Sequence, residues 1–101
     1  MKVEQFYNKN QFLIFGRGVL IFQSYNSTIA KIEGGALTLG NDWDYSRTTL
    51  KHLYLFLEDY KNELTNEEQQ DVIYTLWKEK NKRKALQKAI DNNIIKVESE
   101  L

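Results

Sequence analysis

The chain changes its hydrophobic period near Ser46, and that switch constrains the fold more than any other feature. Before about Asp42 the apolar residues come in short runs rich in aromatic and β-branched side chains, the habit of strands. After Ser46 they recur at helical spacing. Strands gathered first and helices after them describe an α+β domain, not alternating α/β units.

The strand half breaks at small residues. "QFLIF" (Gln11–Phe15) and "VLIFQSY" (Val19–Tyr25) flank Gly16–Arg17–Gly18, a permissive hairpin loop. A short polar turn is expected around Asn26–Ser27. In "TIAKIE" (Thr28–Glu33), alternation points Ile29 and Lys31 one way, Ala30 and Ile32 the other. Gly34–Gly35 is a two-residue hairpin signal, and "ALTLG" closes an antiparallel meander of about four strands. The early "VEQFY" extends the first of them.

In the helical half, Leu50, Leu53, Tyr54, Leu57, Tyr60 and Leu64 form a stripe interrupted by Lys61. Ser46 is placed to cap this helix, with Tyr45 and Leu50 positioned as a hydrophobic staple and Asp42 and Asp44 near its positive end. Thr65 and Glu68 have capping-box spacing for a second helix, whose apolar face is Val72, Ile73, Leu76 and Trp77. A break near Asn81 gives a third helix carrying Ala85, Leu86, Ala89 and Ile90. The expectation is one α+β domain over residues 1–101: strands over about 3–40, two or three helices over about 46–92 packed on one face, and a short strand or tail at 94–101.

Composition narrows the function. With 42% hydrophobic residues the chain can build a core, and its formal net charge of zero supplies no global field for a polyanion. No cysteine is present, so disulfides and thiolate metal sites are excluded, in keeping with a cytoplasmic protein. The N-terminal segment lacks the pattern of a signal peptide, and no run approaches the roughly 20 apolar residues of a membrane span.

Catalytic patterns are missing. His52 is the single histidine, with no HExxH, nucleophile elbow, phosphate-binding loop or dinucleotide fingerprint beside it. Adjacent acids such as Glu58–Asp59 point about 100° apart on a helix and make no dyad. The expectation is a non-enzyme without metal or other cofactor.

Charge is segregated along the chain. Glu58, Asp59, Glu63, Glu67, Glu68 and Asp71 face only Lys61 within their run, whereas Lys78, Lys80, Lys82, Arg83, Lys84 and Lys88 share theirs with Glu79 alone. The acids suit a basic groove on a partner protein, and the bases suit a phosphate backbone. The ordinary explanation of both is solvated helix surface with charges matched to helix ends. Between the two halves, Trp43, Asp44, Tyr45, Ser46, Arg47, Thr48 and Thr49 place hydroxyls, N–H groups and a guanidinium at a helix start, an anion-binding arrangement if they converge. Simple capping is the alternative. "FQSY" (Phe22–Tyr25) likewise reads as buried partners for that helix start or as a recognition face.

The block Phe22–Tyr60, with "SYNSTIA" followed by "WDYSRTTLKHLYLFL", resembles a group of small proteins from bacteriophages and mobile elements of low-GC Gram-positive bacteria. The resemblance implies a phage-encoded protein in the host cytoplasm that acts on host or phage machinery, with no assigned enzymatic mechanism. Inhibitors of host defence, anti-CRISPR proteins among them, are of this kind. The leading expectation is therefore an interaction protein that occupies the nucleic-acid channel of a Cas9-type nuclease with its acidic face as a nucleic-acid mimic. The alternative is a nucleic-acid-binding accessory protein that uses the basic run 78–88.

Overall fold

The computed structural model describes residues 2–99. Strands β1 (Lys2–Phe6), β2 (Asn8–Gly16), β3 (Val19–Ser24), β4 (Ser27–Glu33) and β5 (Ala36–Gly40) precede helices α1 (Arg47–Tyr60), α2 (Glu67–Thr75) and α3 (Lys82–Asp91), and β6 (Lys96–Glu98) follows. The sheet order is β1-β2-β3-β4-β5-β6. β1 to β5 form an antiparallel meander, and β6 adds in parallel beside β5. Among the described residues no helix is long and apolar enough to cross a membrane.

The α+β class is as expected, but six strands replace the expected four. "VEQFY" does not prolong β2. Tyr7 takes a left-handed backbone (φ 64) and folds β1 back along β2, a reversal that a sequence without Gly or Pro there does not announce. The short C-terminal strand forms, while Glu100 and Leu101 lie outside the described residues.

Two-residue turns set the meander's register. Gly16 pairs with Val19, so the first loop is Arg17–Gly18 alone. Ser24 pairs with Ser27, which places the next turn at Tyr25–Asn26, one residue before its expected position, with Tyr25 left-handed (φ 53). Gly34 (φ 60) and Gly35 (φ 78) make the third, where two successive positive φ angles match the twist of a tight hairpin. The strict alternation expected in β4 fails at a bulge: Phe22 pairs with Ala30 but Gln23 with Thr28. Ile29 is the extra residue, and it is buried together with Ala30 instead of facing away with Lys31.

One face of the sheet carries the core. Leu13, Leu20, Phe22, Ile32, Leu37 and Leu39 share one core with the buried side of α1, where Phe56 stacks on Phe22 (centroids 5.5 Å apart) and Phe6 packs edge-on against both. The buried side of α1 is Thr49, His52, Leu53, Phe56 and Leu57. It is rotated from the expected stripe, leaving Leu50 and Tyr54 at its margin, because the large Phe56 ring takes the centre.

The second helix starts one residue later than its capping-box signal. Asn66, not Thr65, accepts the Gln69 N–H (3.0 Å). Gln69 does not reach back to complete a box. Its side chain enters the sheet, where Oε1 accepts from Leu37 N (2.7 Å) and Nε2 donates to Leu37 O (3.0 Å) and Ile94 O (2.9 Å). β5 and β6 pair only from Thr38 onward, so this amide takes the place of a strand partner where the ladder has not begun.

The break after α2 is as expected. Leu76–Lys78 tightens into a 3-10 turn, and Asn81 caps α3 by accepting from Lys84 N (3.0 Å). Trp77 leaves the expected apolar face and is 38% exposed, because the change of helical pitch turns it away from Leu76. Asn93 (φ 61) closes α3 with a Schellman motif, Ile94 N donating to Ala89 O and Asn93 N to Ile90 O.

Two substitutions test this scheme. Gln69→Leu leaves three backbone groups unpaired, and chemical denaturation should show a loss of about 3 kcal/mol or more. Gly34 and Gly35 should separate sharply. A Cβ at Gly34 meets no atom, so Gly34→Ala carries only the left-handed penalty of about 1–2 kcal/mol. A Cβ at Gly35 collides with the Thr65 side chain, so Gly35→Ala should cost clearly more in the same assay.

Candidate functional site

The segment that bridges the two halves divides its labour. Ser46 caps α1, its Oγ accepting from Thr49 N (3.1 Å) and lying 3.1 Å from Thr49 Oγ1. The His52 ring Nδ1 lies 2.8 Å from Thr48 O and, because a carbonyl only accepts, is the donor of that bond. Trp43 is buried, and the Arg83 guanidinium from α3 sits 5.8 Å from its ring centroid. The same guanidinium donates twice to Asp44 Oδ2, at 2.7 and 3.1 Å. Trp43 and Asp44 thus fasten the segment to α3. Tyr45 is 80% exposed and makes no staple with Leu50, since Trp43 already covers that edge of the core.

The hydroxyls and the guanidinium do not converge. Arg47 is exposed and lines a shallow depression with Leu50, Lys51, Tyr54, Leu55, Trp77 and Lys82. Ser46, Thr48 and Thr49 line a different cleft of about 570 Å³ with the Ser24–Ser27 turn, Asp42 and Tyr45. The anion site that depended on Arg47 converging with the threonines is therefore not formed, and Ser46 caps as in the alternative reading. One feature of this cleft had only a weak trace in the sequence: Ser24 is buried with an unpartnered hydroxyl, beside the wholly buried Gln11. The polar end of "FQSY" was its only sign.

The basic run also splits. Arg83 is spent on Asp44, and Lys82 belongs to the Arg47 depression. Lys78, Lys80, Lys84 and Lys88 line one cleft of about 610 Å³, whose apolar lining includes Val72, Ala85, Ala89 and Ile94. The helix break makes this convergence. It sets the end of α2 against α3, where four-residue spacing brings Lys84 and Lys88 to one side of the helix, and the connecting bend before Asn81 adds Lys80 to the same lining. Glu79 is the only acid in the lining.

The six acids all lie exposed between the end of α1 and the first turns of α2. Asp59 accepts a hydrogen bond from the Tyr7 phenol (2.8 Å), and Glu58 pairs loosely with Lys61 (3.4 Å). Lys61 Nζ also stands over the Tyr74 and Trp77 rings, at 5.2 and 5.7 Å. Glu63, Glu67, Glu68 and Asp71 make no ion pair among the described residues. Among those residues no group of three His, Cys, Asp or Glu side chains is placed to hold a metal ion.

Residues 1–74 match the model of a family of unknown function (DUF8033), and the chain belongs to that family. No curated protein and no solved structure matches the chain. The matched span takes in Gln11, the Ser24–Ser27 turn, the α1 start, all six acids and Gln69, and it ends before Lys78.

Three phenols should report on this packing. Burial raises the Tyr54 phenol, with the nearby Arg83 guanidinium opposing, and burial raises Tyr60 too. The hydrogen bond to Asp59 raises Tyr7. A raised phenol stabilises the fold fully below the unfolded value of about 10 and loses that contribution as pH climbs through the folded value. Ultraviolet titration should therefore find these tyrosines ionising late, and denaturation midpoints should fall as pH rises above about 10.

Proposed function

We propose that this family member is a non-enzymatic binding module that holds a polyanion, nucleic acid foremost, in the lysine cleft between α2 and α3. The convergence of Lys78, Lys80, Lys84 and Lys88 on one cleft carries this reading. A scattered basic surface would serve solubility equally well, whereas four lysines lining one concavity concentrate positive potential there, which an entering anion relieves. The apolar stems and the Ala85, Ala89 and Ile94 lining lower the local dielectric and strengthen each contact to phosphate. The zero net charge then confines attraction to this end of the molecule.

A second reading is an inhibitor whose acidic strip imitates nucleic acid on a host defence nuclease of the Cas9 type, in the host cytoplasm. Glu63, Glu67, Glu68 and Asp71 support it, being exposed and making no ion pair among the described residues. Such a strip could enter a basic channel with no rearrangement.

One set of charge reversals separates the two. For the first reading, fluorescence anisotropy with a short duplex should show binding at low salt. The log–log salt slope should be about −3 to −4, roughly −0.9 for each phosphate contacted. Lys80→Glu with Lys84→Glu and Lys88→Glu should abolish it, while reversal of Glu63, Glu67, Glu68 and Asp71 should leave it intact. Absence of duplex binding, together with loss of nuclease inhibition on reversal of the four acids, would transfer the function to the acidic strip.

A further inference from the structure

We propose that the cleft between the Tyr25–Asn26 turn and the start of α1 binds a neutral ring-bearing polyol, a sugar ring taken free or as part of a nucleoside. It shares no lining residue with the lysine cleft, so this assignment stands apart from the one above. Its volume of about 570 Å³ falls in the range of roughly 300–1,000 Å³ usual for small-ligand sites.

The first support is an unmet hydrogen-bonding demand. Ser24 is 3% exposed, lines the cleft, and its hydroxyl has no partner among the described residues. Directly across the β2–β3 ladder stands Gln11, wholly buried, with neither its amide oxygen nor its amide nitrogen bonded. Their spacing from Leu13 and Phe22 puts both on the core side of the sheet, the side that faces α1. Buried polar groups are paired in folded proteins, so the Ser24 hydroxyl left over at the wall of the cleft points to something that enters it, while Gln11 is not in the lining.

Charge selects the ligand. Asp42 is the only charged side chain in the lining, and one of its oxygens accepts from Ser27 (3.1 Å). An anion would meet that carboxylate with no Lys, Arg or His beside it. A cation would meet the positive end of α1. A neutral ligand avoids both conflicts, and a hydroxylated one uses what is present. Its hydroxyls can donate to Asp42 and exchange hydrogen bonds with Ser24 and Thr48. The remaining feature is a pair of aromatic walls, Tyr25 (59% exposed) and Tyr45 (80% exposed). Tyr25 is held in a left-handed backbone uncommon for a bulky residue, with its N–H tied to Asn10 O (2.7 Å). Exposed tyrosine faces of this kind accept the C–H side of a sugar or the face of a base.

The test is a two-dimensional amide NMR titration of the whole chain with glucose, N-acetylglucosamine, adenosine, uridine and AMP, each added separately. At least one neutral ligand should shift residues 24–27 and 42–49 selectively, with a dissociation constant in the range of about 0.1–10 mM. Whether a saccharide or a nucleoside does so identifies the source of the ring. Ser24→Ala and Asp42→Asn should each weaken that binding by about fivefold or more. Should Ser24→Ala not fold, Tyr45→Ala at an exposed position should weaken it by about tenfold. Three results would overturn the assignment: no shift from any neutral ligand at about 20 mM; binding that these variants leave unchanged; or AMP binding about tenfold tighter than adenosine, which would make the helix start an anion site.

Discussion

One buried amide holds the two halves of this molecule in register. The meander ends in β5 with a backbone edge that β6 covers only from Thr38 onward. At Leu37 both backbone groups would otherwise be orphaned in the core. Gln69 meets them from α2 and hands its remaining N–H to Ile94, where the chain turns toward β6. Three elements distant in sequence thus share a single side chain, and no other amino acid of that size offers one acceptor and two donors in this geometry. A glutamate there would lose the donors. A leucine would fill the space and strand the backbone.

From that join the placement of the clefts follows. The Gly35 carbonyl accepts from Thr65 N (2.9 Å), which locks the third hairpin to the approach of α2. Arg83 ties α3 to Asp44 and Trp43 at the start of α1. With α2 held at its start and α3 held through Arg83, the break between them lies open as a lysine-lined concavity. With α1 fixed at its start, the Ser46–Thr49 hydroxyls stand opposite the Tyr25 turn.

Local chemistry was legible in the sequence where it was self-contained. Gly34–Gly35 announces its turn, Ser46 and Asn81 announce their helices, and the switch of period announces the α+β class. What could not be read depends on distant partners. Tyr7 turns the chain without a glycine. Ile29 is buried because β3 offers it no opposite number. Asn66 caps α2 in place of Thr65, whose side chain packs where a Gly35 Cβ would lie. The segregation of charge was plain from the order of residues along the chain, but Arg83 and its neighbouring lysines look alike in one dimension. Only the fold assigns the arginine to Asp44 and four of the lysines to a common cleft. In the same way "WDYSRTT" reads as one motif and is in fact two: an anchor at Trp43–Asp44 and a cleft wall from Tyr45 onward, with Arg47 turned aside.

The parallel pairing of β6 has a temporal meaning. Every ladder from β1 to β5 joins neighbours in the chain and can zip from its own turn. β6 must wait until all three helices have been traversed, so its pairing with β5 carries the longest loop closure in the sheet. The final strand is therefore a report on completion. Amide exchange at Val97 would be expected to follow the integrity of the helical layer, while exchange at Ile21, in the middle of the meander, would follow the hairpins alone.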